Sequence, residues 1–347
     1  MKPEYIIDVI KNFPYWWNNA RPIALPQSLS PSVCALSLAF LFSQKNGTYF
    51  DIGLAIFAII GVIFGHLGAN LFDDYFDWKV KSNDYRNELI KKGMRARIGK
   101  CPYLLSGKSS VEELLVASIL FSSIAIFSGG IIWFFRGNDI IVLGGIAAFL
   151  CITYSGTIFR FSYRGLGEII IGLMFGPLLI LGIFFSCVGQ HSFDILFVSV
   201  PVGLLVSNII FTHSILDYDA DIEVNKMTLA VLIGNKKWML FVSFILNFFP
   251  LFIIIGGVII GSLNIWYLVV LLTLPMAVSL FNMLYHFHKT PTRVFTPKFW
   301  FGYFEGWKAK KEFGIDWFLV RWMLARNYIT FFAIIITIVS IVLGLHQ

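Results

Sequence analysis

The sequence predicts an all-α, polytopic membrane protein with nine transmembrane helices. Three observations carry that prediction. Hydrophobic residues fill 57% of the 347 positions and charged residues only 14%, whereas a soluble domain carries about a quarter charged residues. Apolar runs of spanning length recur along the chain, too long and too continuous for barrel strands. Basic residues gather in alternate connections between those runs, as expected when successive helices cross a bilayer in opposite directions.

The elements follow in order. Residues 1–23 read as an interfacial N-terminal helix. Glu4, Asp8 and Lys11 alternate with apolar positions ahead of Tyr15, Trp16 and Trp17, which is an amphipathic pattern and not the apolar core of a cleavable signal peptide. Nine spans then run at roughly 24–44, 51–76, 111–135, 139–158, 166–188, 193–214, 238–261, 264–284 and 325–345. The N-terminus and the connections after the second, fourth, sixth and eighth spans hold all but three of the 27 lysines and arginines; Lys45 and Arg136 fall on the other side, and Arg326 sits at the edge of the ninth span. The expected topology therefore has the N-terminus in the cytoplasm and the C-terminus outside. Two cytoplasmic connections are long. Residues 78–110 include Lys91, Lys92, Arg95, Arg97 and Lys100, and residues 285–324 mix His286, His288, Arg293 and Arg321 with Trp300, Trp307 and Trp317. Tryptophan and lysine at this density suit the headgroup layer, and 285–324 reads as a membrane-hugging lid or a docking segment. No internal repeat divides the chain, so 1–347 reads as one transmembrane domain.

Composition also excludes functions. The net charge of +7 sits in the connections and reports topology; with no soluble basic domain to carry it, nucleic acid is not an expected partner. Cys34, Cys101, Cys151 and Cys187 are scattered, without metal-ligand or disulfide-framework spacing.

Acids beside membrane-length apolar runs are costly unless they work or are paired. One cluster, Asn70-x-x-Asp73-Asp74-x-x-Asp77, closes the second span. The other, Asp217-x-Asp219-x-Asp221, closes the sixth and is followed by Lys226. Both spans are even-numbered, so both clusters fall at the same depth on the cytoplasmic side. On a helix, Asn70, Asp73 or Asp74, and Asp77 share a face, as do Asp217 and Asp221. Hard oxygen donors of this kind suit Mg²⁺, which binds through a few carboxylates plus substrate phosphates; the scarcity of Cys and His argues against zinc or copper. A single cluster could equally be a proton relay or a helix end solvated by headgroups, but two clusters on one face point to a cation and diphosphate cage. A transporter would keep its acids near the midplane on broken helices, whereas these lie at helix ends. Lys226, Arg160, Arg164 and Arg21 are candidate direct contacts to the diphosphate, with ordinary positive-inside cations as the alternative. Tyr154 and Ser155 end the fourth span near the same plane, where the tyrosine ring could face a carbocation or orient an acceptor hydroxyl, or simply join the interfacial aromatic belt. Glu168 opens the fifth span, where the helix dipole favours an acid. His66, one turn before Asn70, reads as a packed histidine.

Together these residues resemble the UbiA superfamily of intramembrane prenyltransferases. The matching blocks are Ala20-Arg21-Pro22; the Asn70 to Asp77 motif; Tyr154-Ser155 with Tyr163-Arg164-Gly165-Leu166-Gly167-Glu168; and Asp217-x-x-x-Asp221 with Lys226-Met227-Thr228-Leu229-Ala230-Val231. The resemblance implies a central cavity among the helices, open to the cytoplasmic side of the cell inner membrane. It implies that Asn70, Asp73, Asp74 and Asp77 hold one Mg²⁺ and that Asp217 and Asp221, with Asp219, hold the other. Asp74, Asp77, Asp217, Asp221 and Tyr154 would be the catalytic set. A polyprenyl diphosphate donor, a small aromatic acceptor and the lipid bilayer are the implied partners. The run Asn70 to Asp77, followed by Lys81-Ser82-Asn83-Asp84, is most similar to the 1,4-dihydroxy-2-naphthoate polyprenyltransferases of menaquinone synthesis; 4-hydroxybenzoate or a polar lipid precursor is the alternative acceptor. The sequence departs from that branch at Asp73, often Asn, at Ile158, commonly proline, and in the length of both cytoplasmic connections. Acceptor identity, prenyl length and oligomeric state are not encoded in any of these motifs.

Overall fold

The structure, a computed structural model, describes residues 3–79, 101–156, 159–223, 225–290, 293, 295–312 and 314–347, the side chain of Lys310 excepted. The basic run from Lys91 to Lys100, the Lys81–Asp84 block and Ile158 lie outside the described residues.

Among the described residues the secondary structure is helical, with one isolated backbone bridge. Two short helices, α1 (Pro3–Lys11) and α2 (Phe13–Asn19), precede the long ones. The expected single interfacial helix breaks at Asn12, because Pro14 has no N–H to continue the ladder and instead opens a new helix. Val9 and Trp16 are buried, while Ile6, Ile7 and Ile10 stay exposed. The long helices are α3 (Pro26–Asn46), α4 (Ile52–Lys79), α6 (Val111–Arg136), α7 (Asn138–Ser155), α8 (Gly167–Val188), α9 (Phe193–Leu216), α12 (Lys236–Ile259), α13 (Ile265–Lys289) and α15 (Asp316–Leu345). Short helices α5 (Pro102–Leu105), α10 (Tyr218–Glu223), α11 (Leu229–Ile233) and α14 (Trp307–Glu312) lie in the connections. Eight of the long helices are apolar enough to cross a membrane by length and composition. The first expected span, α3, has the length (21 residues) but is diluted by serine. Those serines satisfy their own hydroxyls: Ser32 Oγ donates to Ser28 O at 2.8 Å and Ser37 Oγ to Cys34 O at 2.8 Å, so their burial leaves no orphan donor in the bundle.

Consecutive long helices pack side by side, and α15 returns onto α3 to close a ring. Within it, α8 also touches α3 and α4, and α9 touches α15. The apolar window of α9 is 72% buried and that of α7 only 11%, so α9 is an inner helix and α7 faces lipid. The seam between α8 and α9 is made by small residues. A Cβ on Gly176 would sit 2.5 Å from Gly203 Cα, and one on Gly203 would sit 2.5 Å from Gly172 O. Backbones can approach this closely only where side chains are absent. Beside that seam, Pro177 interrupts α8 with a π-helical turn over Met174–Leu178.

Helix ends follow local chemistry. Ser110 and Glu113 form a capping box that opens α6. At the far end of the bundle, Arg136 binds Ser186 O (2.8 Å), Cys187 O (3.0 Å) and Asp51 Oδ2 (3.6 Å), clasping α6, α8 and the start of α4. The ninth helix starts at Asp316, well before the apolar run at 325 suggests. Arg321 and Arg326 hide its first turns from a hydropathy reading. In the structure Arg321 is buried against backbone carbonyls, and Arg326 lies over the Trp322 ring at 5.7 Å. With α13 reaching Lys289, the expected 285–324 connection shortens to residues 290–315.

Candidate active site

The carboxyl ends of α4, α7 and α9 meet the amino end of α8 at one end of the bundle, and the acids lie there. Asp74 and Asp77 are each 3% exposed, while Asp73 and Asn70 are half-buried. Arg21 Nη2 lies 2.7 Å from Asn70 O, 3.2 Å from Asp73 Oδ2 and 3.2 Å from Asp74 Oδ1. Asn70 Nδ2 returns a hydrogen bond to Ala20 O at 3.0 Å, so the Ala20-Arg21-Pro22 block and the first acid motif form one unit. Burial works against the charge of Arg21, but Asp74 and then Asp73 outweigh it and hold the guanidinium above the ordinary arginine pKa. Three hydroxyls complete the cluster: Tyr103 donates to Asp74 Oδ2 (3.1 Å), Ser155 to Asp73 Oδ1 (2.5 Å) and Tyr163 to Asp77 Oδ1 (2.7 Å). Burial, and then the charge of Asp74, push the Tyr103 phenol well above its usual pKa, so it remains a donor.

In the second cluster α9 stops at Leu216, and Asp217 takes the cap position. Asp221 N donates to Asp217 O at 2.8 Å, and Lys226 N to Asp221 O at 2.8 Å. This turn carries Asp217 and Asp221 inward (3% and 2% exposed) and leaves Asp219 exposed on the opposite face of α10. Asp219 is thus the one expected acid that the structure does not bring to the cluster. His213 Nε2 approaches Asp217 Oδ2 at 3.6 Å.

Tyr163 stands between the first cluster and Lys226, which follows the second. Its hydroxyl is on Asp77, and its ring is faced by the Arg160 guanidinium at 4.5 Å and by Lys226 Nζ at 5.9 Å. One residue on, Arg164 forms a parallel backbone bridge with Met227, so the loop after α7 runs beside the loop after α9; the Arg164 residue itself is exposed. Glu168, 2% exposed, accepts from Ser214 Oγ at 2.7 Å and from Leu229 N at 3.3 Å, tying α8, α9 and α11 behind Lys226. Tyr154 lies within electrostatic range of Asp73, Glu168, Asp77 and Arg21. His66 is packed: Ser28 Oγ lies 2.8 Å from its Nδ1, and the Phe175 ring is 5.1 Å away.

Tyr163 and Tyr103 are site-shaping residues to which the sequence assigns no role, and Glu168 reads there only as an acid favoured by the helix dipole. Tyr163 stands beside Arg164 in a motif block, which was a usable signal. Tyr103 had none, because its bond to Asp74 spans 29 positions. A further signal is backbone strain. The non-glycine residues with left-handed φ among the described residues are Arg21 (62°), Cys101 (51°), Arg160 (43°) and Asn225 (53°), and all four frame the acids. Such conformations cost energy and concentrate where the surroundings over-determine them.

The potential ligands are all oxygens, from Asp73, Asp74, Asp77, Asp217, Asp221 and the amide of Asn70. That donor set fits a hard divalent cation. Among the described residues, no group of three or more His, Cys, Asp or Glu side chains is placed to hold a metal ion; in the first cluster Arg21 and the hydroxyls contact the carboxylates.

A ring of membrane-length helices with a buried carboxylate site at one end defines an integral membrane enzyme with an anion-rich, oxygen-lined centre. The profile of the UbiA prenyltransferase family matches residues 32–303, and the chain belongs to that family. It is a prenyltransferase. The 1,4-dihydroxy-2-naphthoate octaprenyltransferase of Bacillus subtilis (strain 168) is 24% identical over 270 residues, covering 76% of this chain and 79% of that one. A solved structure described for digeranylgeranylglyceryl phosphate synthase in membranes superposes with a TM-score of 0.58 at 15% identity, covering 96% of this chain and 99% of its own. A UbiA homolog from Archaeoglobus fulgidus bound to GPP and Mg²⁺ superposes with a TM-score of 0.50 at 13% identity, covering 90% and 98%. These two likenesses reflect a shared fold.

Proposed function

We propose that the protein transfers a polyprenyl group from a polyprenyl diphosphate to a small aromatic acceptor of the dihydroxynaphthoate type, with Mg²⁺, at the cytoplasmic face of the cell inner membrane. One observation carries this reading: at one end of the bundle Tyr163 binds Asp77 of the first buried acid cluster, and its ring faces Lys226, which follows the second. The naphthoate acceptor is supported by the Bacillus subtilis relative, and the metal by the GPP and Mg²⁺ in the Archaeoglobus fulgidus homolog.

Asn70, Asp73, Asp74 and Asp77 would hold one ion, and Asp217 and Asp221 the other. Asp219, exposed, would act at most through solvent. Bound Mg²⁺ supplies neutralisation for the charge that builds on the departing diphosphate. Lys226, Arg160 and Arg164, on the adjoining loops, would contact the phosphates directly. Arg21 now neutralises Asp73 and Asp74, and its place suits release toward the diphosphate once cations take over those carboxylates. Ser155 would orient the donor, and the face of Tyr154 would shield the allylic cation. The helix walls around it keep water from quenching that cation.

The test is prenyl transfer by purified protein with labelled polyprenyl diphosphate, dihydroxynaphthoate and Mg²⁺, followed by addition of EDTA. Product that falls to background on chelation and returns with Mg²⁺ supports the reading. Undiminished transfer without divalent metal overturns the metal role, and transfer only to a different acceptor overturns the naphthoate assignment.

A further inference from the structure

The acid-bearing end of the bundle also carries a concentration of positive charge that prenyl transfer does not use. Its base is Arg321, wholly buried at 0% exposure. Arg321 Nε donates to Met283 O (3.2 Å), Nη2 to Arg293 O (3.3 Å) and Nη1 to Trp317 O, while the Phe287 and Phe295 rings cover the guanidinium at 5.3 Å and 5.4 Å. Carbonyls and ring faces, not a carboxylate, balance this charge. Arg293 covers the same Phe295 ring at 5.1 Å, and its Nη1 donates to His286 Nδ1 at 3.0 Å. Lys289, one helical turn from Tyr285, reaches its hydroxyl at 2.5 Å. From α12, Lys236 Nζ donates to His288 O at 3.3 Å.

Among the described residues, no carboxylate forms an ion pair with Lys236, Lys289, Arg293 or Arg321. Lys289 and Arg293 are exposed, so their charge is open to a ligand. The depth of the cluster identifies that ligand. It spans the end of α13 and the start of α15, and the adjoining segment displays Phe299 (92% exposed) and Tyr303 (78% exposed), with Lys298 over the Trp300 ring at 4.7 Å. Aromatic rings held outward beside lysines match the headgroup layer and not bulk water. Exposed cations without counter-charges at that depth attract anionic lipid.

We propose that Lys289 and Arg293, held on the buried Arg321, bind the phosphate of an anionic phospholipid headgroup, at a site distinct from the aspartate clusters. The proposal rests on the membrane fold and not on the reading of prenyl transfer.

The experiment titrates full-length protein in detergent with phosphatidylglycerol or phosphatidylcholine and reads retained lipid by native mass spectrometry. Wild type is expected to retain phosphatidylglycerol with a preference of roughly ten-fold or more. K289Q/R293Q should bring the preference close to parity, and the single variant K289Q, at an exposed helix end, should lower it part of the way if the double variant fails to fold. D221A should keep the wild-type preference, which separates this site from the aspartates. No preference in wild type, an unchanged preference in the folded double or single variant, or loss of it in folded D221A overturns the proposal. Displacement of phosphatidylglycerol by millimolar inorganic phosphate would assign the site to free phosphate and overturn the lipid.

Discussion

At the scale of single residues, the site divides into groups expected to carry charge and groups that hold them. Asp74→Ala and Asp221→Ala each remove a buried carboxylate from one cluster. Each should lower prenyl transfer by about a hundred-fold or more, comparable to loss of a preorganised electrostatic group, with the elution profile on gel filtration unchanged. Tyr163 offers a finer test, because it acts through both its hydroxyl and its ring. Tyr163→Phe deletes the bond to Asp77 and keeps the face presented to Arg160 and Lys226. A hydrogen bond to a charged group contributes about 1.5–3 kcal/mol, so kcat/KM should fall roughly ten-fold to a hundred-fold. Tyr163→Ala removes both and should fall further. Equal rates for Phe and Ala would mean that the ring contributes nothing.

At the scale of elements, the close approach of α8 and α9 sets where Glu168 and the second acid cluster can stand. Gly203→Val drives a Cβ against the Gly172 carbonyl, 2.5 Å away, and backbone cannot step aside as a flexible side chain can. This should cost about 2 kcal/mol or more, within the range for overpacked cores, and be read as a melting temperature several degrees lower in detergent. Gly182→Ala is the matched control, because a Cβ there meets nothing within 4 Å; it should leave melting unchanged or slightly raised. The connections show how far such elements can be read in advance. Pro14 and Pro177 punctuate helices through their own backbone chemistry, yet a reading of 1–23 as one helix and of 166–188 as one uninterrupted span passes over both. The start of α15 is hidden too, since Arg321 looks like a loop cation until Met283, Arg293 and Phe287 surround it.

At the scale of the whole molecule, the ring puts both acid clusters at one end of the bundle, which the positive-inside pattern assigns to the cytoplasm. Cysteines introduced at Asp219 and Lys298, both exposed, should react in intact inverted membrane vesicles and resist an impermeant maleimide in intact cells. A cysteine at Gln347 should show the reverse. Labelling of Asp219→Cys from outside intact cells would contradict the cytoplasmic placement. The clasp of Arg136 with Asp51 at the opposite end uses one of the two cations that the charge distribution leaves there. The same residue that breaks the positive-inside pattern thus closes the helix ends on that face.

Hydropathy and helix length made the helical bundle and its two acid motifs legible, because each depends on residue type and on distances along one helix. What folding alone could settle was which groups meet across the bundle. Asp219 shares a motif with Asp217 and Asp221 yet turns outward, since the α10 helix begun after Leu216 buries only one face. Tyr103, Tyr163 and Glu168 acquire their partners from segments tens of residues away, and no local pattern records a contact whose two halves are brought together only when the ring closes.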